Sequence, residues 1–496
     1  MKRMFVYLCA IALMACEPKI DTGWSIDQVP DDPTPQPIKV ESRAPLYWTV
    51  YEYCFEAEHS KQSTNMPKNI WEANIQWVEE NLLPYGYNMI ATDGFMSMYN
   101  DMSYNNQGYM THYGVYALKD LVALCKAHNL TLGVYDNPLW LHANVEGGDN
   151  PVIAGTNIHV SSLRYDPSKD HVLHPEESAA DNEWFQWIVP SHPGAKEYID
   201  GFFKYYANLG VHYIRMDFMS VFEDGTGHGT KNPARGYGRE EYNLALQYIN
   251  ESAIKYGVFT SIVMPHCYSH AELEAAYCNM MRTEADVFCG HWAAFSGLEN
   301  EYFDVYGDQT FYRHRGDIGG SWPQCNNVFD GFVHFSDKAG RGKVIMDGDF
   351  TRLTTLNNDD EARSVISLQL VAGGPVACAD QFNSAGIDHY VQFYQNEELL
   401  ELNKDGFVGK PLSRDLKSTD SQIWYGQMTN GDWIVALFNR EPLEQQRSFG
   451  FIGHLPKTEY QVRDLWDHKD LGSASAVTAL IPSHGCKVYR LSERKE

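Results

Sequence analysis

Cysteine is sparse: ten residues in a chain of 496, two of them, Cys9 and Cys16, near the N-terminus. The eight that remain (Cys54, Cys125, Cys267, Cys278, Cys289, Cys325, Cys378 and Cys486) exclude a small disulfide-stapled scaffold. Spacing leaves their pairing open. Cys267, Cys278 and Cys289 are near enough in sequence for one bridge among them, with free buried thiols as the other reading. Basic charge is scarce too: 39 Lys and Arg face 65 Asp and Glu, a formal net charge of −26, which argues against nucleic acid as a partner. Beyond residue 13 there is no long uninterrupted apolar run, so nothing later in the chain reads as a membrane span. No G-x-G-x-x-G turn follows the first predicted strand, which argues against an open dinucleotide-binding sheet. A repeat of solenoid type is also missing.

Aromatic residues are plentiful, 13% of the chain with 12 Trp and 31 Tyr; flat rings with a polar edge suit sugars as well as ordinary cores. At the N-terminus, Lys2 and Arg3 precede an apolar run from Met4 to Leu13, and Leu13-Met14-Ala15-Cys16 closes it. This pattern is similar to a bacterial lipoprotein signal, residues 1–16, with Cys16 as the lipidated first residue of the mature chain; a plain secretory signal with an incidental Cys is the alternative. Residues 17–42 alternate Pro with polar and acidic residues and read as a spacer. The expectation is an exported lipoprotein of a bacterial outer membrane, on its periplasmic or cell-surface face, touching the membrane only through that anchor.

From Pro45 to Asp380 one phrase repeats: an apolar or β-branched run, a polar loop, then a segment of helical period. Predicted strands are 45–51, 87–93, 130–136, 211–217, 258–264, 280–283, 344–347 and 375–380, and predicted helices include 70–83, 116–128, 195–209, 240–256 and 273–277. Eight strands alternating with helices predict an α/β fold, a (β/α)₈ TIM barrel over residues 43–395. Two connections, 137–193 and 289–342, exceed plain crossovers. They carry Trp184, Trp187, His192, Trp292 and Trp322, and are read as walls of a cleft or as lids. From Gln422 the pattern turns all-β, with 423–426, 433–438, 462–465 and 487–491 as strands. This predicts a C-terminal antiparallel β-sandwich over 396–496.

Within the barrel, Gly210-Val211-His212-Tyr213-Ile214-Arg215-Met216-Asp217-Phe218 reads as a buried strand that ends by presenting a carboxylate, as strands do at a catalytic rim. A second acid, Asp286, follows another strand end, four residues after Arg282. Two carboxyl groups about 5–5.5 Å apart serve retaining glycoside hydrolysis, one as nucleophile and one as acid/base.

These stretches resemble the clan D glycoside hydrolases, most closely family 27, the α-galactosidase and α-N-acetylgalactosaminidase group. Pro45-Leu46-Tyr47-Trp48-Thr49-Val50-Tyr51 is similar to the family's P-M-G-W-N-S-W, and Gly86-Tyr87 through Asp93-Gly94-Phe95 to G-Y-x-Y-x-x-I-D-D-G-W. Leu132-Gly133-Val134-Tyr135 resembles L-G-I-Y, Tyr213 to Asp217 resembles Y-L-K-Y-D, Cys278 to Asp286 resembles C-N-x-W-R-x-x-x-D, and Met346 to Phe350 resembles N-D-P-D-M. In the predicted sandwich, Gly431 to Arg440 and Arg463 to Gly472 are close to the family's wording. The resemblance implies Asp217 as nucleophile and Asp286 as acid/base. It implies Trp48, Asp93, Tyr135, Arg215 and Arg282 around the terminal sugar, with no cofactor and no metal.

The departures concern the sugar. The family's Asp-Asp pair is Thr92-Asp93, and its strand-four Lys is Arg215, a planar fork in place of a point charge. Its fifth-strand Glu, which reads the 2-hydroxyl, is Val263, with His266 or His270 as nearby substitutes. A retaining exo-α-glycosidase, α-galactosidase-like, on oligo- or polysaccharides is therefore the expectation. The same mechanism on an α-N-acetylgalactosaminide, a β-L-arabinopyranoside or an α-glucan is the alternative. A glycan-binding surface lipoprotein without catalysis is the reading from another class, and a metal on His266, Cys267 and His270 matches no strong zinc spacing. The oligomeric state stays open.

Overall fold

The computed structural model describes residues 43–493 apart from 95–101, 144–149, 167, 173–185, 226–235, 288–289, 298–301, 305–309, 313–314, 317 and 319–324. The predicted signal and spacer, Cys289, Trp184 and Trp322 lie outside the described residues.

Short strands at Leu46–Thr49 (β1), Met89–Ala91 (β2), Thr131–Tyr135 (β3), Tyr213–Met216 (β4), Phe259–Ile262 (β5), Met280–Arg282 (β6), Ile345–Asp347 (β7), Phe350–Thr351 (β8) and Val376–Cys378 (β9) pair in parallel. Their order is β7-β6-β5-β4-β3-β2-β1-β9-β8. The two ends of that order are consecutive in the chain, joined by Gly348 and Asp349, so the sheet closes on itself. The seventh barrel strand is thus in two pieces: Asp347 of β7 lies opposite Arg282 of β6, and Thr351 of β8 opposite Cys378 of β9. The result is the (β/α)₈ barrel that the alternating pattern predicts.

Side chains alternate across these strands. Tyr47, Met89, Tyr213, Phe259, Met280 and Phe350 fill the barrel. Trp48, Ile90, Leu132, Ile214, Met216, Met281 and Met346 face outward into the layer under the helices. That layer is completed by Tyr51–His59 (α1), Lys68–Asn81 (α2), Leu118–Ala127 (α3), Ala195–Leu209 (α4), Met219–Glu223 (α5), Arg239–Tyr256 (α6), Glu272–Tyr277 (α7), His291–Ser296 (α8), Val328–His334 (α9) and Asp359–Val371 (α10). Tyr51, expected at the end of the first strand, instead opens α1: the strand stops at Thr49 and Val50 already has helical dihedrals.

Helices Ile387–Tyr394 (α11) and Glu397–Asp405 (α12) lead to the sandwich. Its strands are Lys410–Pro411 (β10), Ile423–Gln427 (β11), Trp433–Phe438 (β12), Gln445–Gly450 (β13), Tyr460–Asp464 (β14), Lys469–Ala474 (β15), Ala476–Ile481 (β16) and Cys486–Ser492 (β17). A sheet in the order β10-β11-β12-β17-β14-β15 faces the pair β13-β16. Both faces of its central strands β12 and β17 are buried, while the edge strand β15 is exposed. Val435, Leu437 and Leu491 point to the β13-β16 layer, while Ile434, Ala436, Phe438 and Val488 join the apolar layer of the barrel.

The structure decides between the open readings for two of the tryptophans in the long connections and for the described cysteines. Trp187 is buried with its ring 5.4 Å from Phe222, and Trp292 is buried and stacked on His484 of the sandwich at 4.6 Å. Trp187 and Trp292 therefore serve packing, whereas Trp140 of the first connection stands beside the candidate site, its ring 5.8 Å from Tyr135. The seven described cysteines, Cys267 and Cys278 among them, are all unbridged and buried.

Candidate active site

Strand β4 delivers the first acid. Tyr213 and Arg215 point inward, so Asp217, two residues on, emerges on the same side just past the strand end. Phe218 turns the chain there with φ 63°. Both carboxylate oxygens of Asp217 are held: Oδ1 accepts the Phe218 N–H at 2.6 Å and Oδ2 accepts the Tyr135 hydroxyl at 2.9 Å. The Asn137 amide donates to the Asp217 carbonyl at 2.9 Å. Tyr135 reaches Asp217 because residue 94 is glycine; a β-carbon there would sit 2.2 Å from the Tyr135 ring.

Strand β6 delivers the second acid through Arg282, whose guanidinium is shared by three carboxylates. Its Nη2 donates to Asp286 Oδ1 at 2.7 Å, its Nε to Glu284 Oε1 at 3.0 Å, and its Nη1 pairs with Asp349 Oδ1 at 2.6 Å. Arg215 is engaged in the same manner, Nη1 to Asp347 Oδ2 at 2.7 Å and Nη2 to Asp349 Oδ1 at 3.1 Å. Asp349 therefore bridges the arginines of β4 and β6. It sits at the break in the seventh strand with φ 60°, and its Oδ2 accepts the N–H of Val287, the residue after Asp286, at 2.8 Å.

Exposure separates the acids by role. Asp93, Asp347, Asp349 and Glu284 are buried, whereas Asp217 and Asp286 are partly open, the Asp286 side chain by 23%. Burial raises the Asp217 pKa, and the Asp286 charge raises it further; the Phe218 N–H, Arg215 and the Tyr135 hydroxyl oppose both. Burial likewise lifts Asp93 to about 7, Asp349 to about 6 and Glu284 to about 8, each against the pull of a neighbouring arginine.

Asp217, Asp286, Asp93, Tyr135, Arg215 and Arg282 thus come together at the C-terminal ends of the barrel strands. Trp48 does not. It is fully buried on the outward side of β1, 6.3 Å from Trp71, with its indole N–H donating to the Asp380 carbonyl at 2.8 Å. The residue from this segment that meets the acids is Tyr51, on the same face as Tyr47 and Thr49. Its ring lies 4.2 Å from Phe350, and its hydroxyl pKa is raised by burial and then by Asp286, Asp349 and Asp93.

Asp347, Asp349 and Glu284 were also missed as site residues. Val263 packs with Met264, Phe218 and Val221 into an apolar patch beside the turn after Asp217. His266 turns to Asp224, Nε2 to Oδ2 at 3.4 Å, and His270 to Glu272 at 3.8 Å. Among the described residues no cluster of His, Cys, Asp and Glu suits a metal ion.

Isomalto-dextranase of Arthrobacter globiformis is 34% identical to this chain over 466 residues, which cover 91% of the chain and 67% of that protein. The chain is a clan D glycoside hydrolase close to family 27. Residues 418–491 of this glycoside hydrolase match the α-galactosidase C-terminal β-sandwich domain. The structure of the Arthrobacter globiformis T6 isomalto-dextranase complexed with panose superposes with a TM-score of 0.80 at 32% identity, covering 94% of this chain and 76% of that one. A family 27 β-L-arabinopyranosidase from Geobacillus stearothermophilus has a TM-score of 0.67 over 92% of this chain and 98% of its own, and at 16% identity it shares the fold alone.

Proposed function

We propose that this glycoside hydrolase cleaves α-glucosidic linkages at the ends of oligo- or polysaccharides, with retention of configuration. The observation that carries the mechanism is that two partly open acids, Asp217 and Asp286, stand near enough for the charge of Asp286 to act on Asp217, beside Asp347, Asp349 and Glu284 buried on Arg215 and Arg282. Asp217 attacks the anomeric carbon while the glycosidic bond breaks, and its electron pair leaves with the glycosidic oxygen, which takes the Asp286 proton. Water then attacks the same carbon, gives a proton to Asp286, and the Asp217 oxygen departs with its bonding pair. The Phe218 N–H and the Tyr135 hydroxyl favour the ionised nucleophile; the opening at Asp286 faces the leaving group and water.

The sugar is argued from likeness. An isomalto-dextranase at 34% identity over 91% of the chain supports an α-glucan over the α-galactoside that the family 27 motifs imply. The altered contacts at Thr92, Arg215 and Val263 agree with that departure. An α-galactoside is the second reading, favoured by the sandwich match.

Dextran, isomalto-oligosaccharides and the nitrophenyl α-glucoside, α-galactoside, α-N-acetylgalactosaminide and β-L-arabinopyranoside form the test panel, with the first-formed anomer followed by NMR. Fastest cleavage of the α-galactoside would replace the sugar assignment, and an inverted product would refute the roles of both acids. Asp217→Ala is expected to abolish turnover with an unchanged melting temperature. The lipid anchor is a further proposal: Cys16→Ser should abolish incorporation of labelled fatty acid in a bacterial host.

A further inference from the structure

The segment that carries Asp286 runs from β6 through Thr283 to Val287 and enters α8. Helix α9 packs back on that segment closely enough to require glycine. A β-carbon on Gly331 would lie 2.7 Å from Thr283 Oγ1 and 2.9 Å from Glu284 Oε2. The Ala285 N–H also donates to the Cys325 carbonyl at 2.9 Å, two residues before the Asn327 that caps α9. The end of α8 and the start of α9 are therefore the outer supports of the acid/base segment.

One side chain holds both supports, and it comes from the sandwich. Arg440, just past β12, is 2% exposed. Its Nε donates to Ser296 Oγ, the last residue of α8, at 3.2 Å, and its Nη2 donates to the Ser296 carbonyl. Nη2 also donates to Asn327 Oδ1 at 3.2 Å, while Nη1 donates to Asp330 Oδ1 at 2.8 Å. The guanidinium lies over the Phe329 ring, 4.4 Å from its centre. Arg315 locks the same joint by donating to the Ser296 and Gly297 carbonyls at 3.2 and 3.1 Å and to the Arg440 carbonyl. A guanidinium this deep must spend its N–H groups on fixed partners. Every partner described for this side chain belongs to α8, to α9 or to the Asn327 that caps α9.

We propose that Arg440 is a positioning residue for the acid/base, so that the C-terminal sandwich sets where the Asp286 carboxyl stands. The chain of contact is short: Arg440 fixes α8 and α9, α9 backs Thr283 and Glu284, and Glu284 shares Arg282 with Asp286. The inference rests on the role proposed above for Asp286. Its signature is selective. Misplacing an acid slows departure of a leaving group that needs a proton and spares one that does not.

The experiment compares kcat/KM for the dinitrophenyl and phenyl glycosides of whichever sugar the wild-type enzyme cleaves fastest in the panel. The variants are Arg440→Met, Arg440→Lys, Ser296→Ala and Asp286→Ala, with folding followed by circular dichroism. General acid catalysis contributes about 10²–10⁴-fold, so Asp286→Ala should lose that much on the phenyl glycoside and far less on the dinitrophenyl one. Both Arg440 variants are expected to lose at least about 10-fold on the phenyl glycoside and under about 3-fold on the other, and Ser296→Ala a smaller loss with the same selectivity. Should Arg440→Met fail to fold, Arg440→Lys and Ser296→Ala decide: lysine keeps the charge but has no fork to reach both helices. Equal losses on both substrates, or no loss while Asp286→Ala remains selective, would overturn the proposal. An unselective Asp286→Ala would instead refute the role of Asp286.

Discussion

Replacing Asp349 by Asn tests whether the bridge between the two arginines organises catalysis. The carboxylate takes Arg215 Nη2 and Arg282 Nη1 on Oδ1, at 3.1 and 2.6 Å, and the Val287 N–H on Oδ2 at 2.8 Å. An asparagine of the same shape cannot satisfy this set. With its NH₂ toward Val287 it sets donor against donor; flipped, it sets a donor against two guanidinium groups. One unsatisfied buried N–H costs about 1–3 kcal/mol. Neither arginine is stranded, because Arg215 keeps Asp347 and Arg282 keeps Glu284 and Asp286. The loss should therefore fall short of the 3–5 kcal/mol typical of a broken buried ion pair, at about 2–3 kcal/mol. If that cost falls on the placement of Val287 and hence of Asp286, kcat/KM drops about 30- to 140-fold, at about 1.4 kcal/mol per factor of ten. Steady-state kinetics on the preferred nitrophenyl glycoside, beside thermal unfolding, measures both parts. A change in kcat/KM under about 3-fold would refute the idea that Asp349 joins the two catalytic strands.

Three further outcomes follow from the same contacts. Tyr135→Phe removes a charge-assisted hydrogen bond from Asp217, worth about 1.5–3 kcal/mol; kcat/KM should fall by one to two orders of magnitude. The acid limb of its pH profile should move to higher pH, since that hydroxyl holds the Asp217 pKa down. Trp48→Phe should lower the melting temperature through lost packing against Trp71 and the lost bond to the Asp380 carbonyl, with KM unchanged; a raised KM would return Trp48 to the sugar site. Glu284 binds its proton more tightly folded, with a pKa of about 8, than unfolded, where a Glu titrates at about 4.3. Its stabilisation is complete below the unfolded value and is lost as pH rises toward 8. Glu284→Gln should therefore flatten the fall in melting temperature between mildly acidic pH and pH 8, and an unchanged slope would contradict the assignment.

Much of the scaffold was legible because alternation and helical period report burial directly. The helix at 195–209 and the strand at 433–438 lie where the pattern puts them. Asp217 and Asp286 were legible as strand-end acids. What eluded the reading depends on which face a residue takes and on partners distant in sequence. Trp48 and Tyr51 both fit a sugar-lining aromatic; the phase of β1, with Tyr47 inward, turns Trp48 outward, and the turn into α1 at Val50 brings Tyr51 to the inner cluster. The pairs from Arg215 to Asp347 and Asp349 join residues 132 and 134 positions apart, which no local pattern encodes. Trp187 and Trp292 belong to long connections whose polar composition disguised their packing role, Trp292 on helix α8.

The break at Gly348 and Asp349 has a consequence for how the enzyme is lost and regained. A barrel has no edge while closed, but this one has a seam, and the residue that closes it also links Arg215 with Arg282. Opening the seam and dispersing the charges are one event. The enzyme should switch off in a single step as β7 and β8 come away from their partners β6 and β9, ahead of global melting, with the Val287 amide exchanging its hydrogen at the rate at which activity disappears.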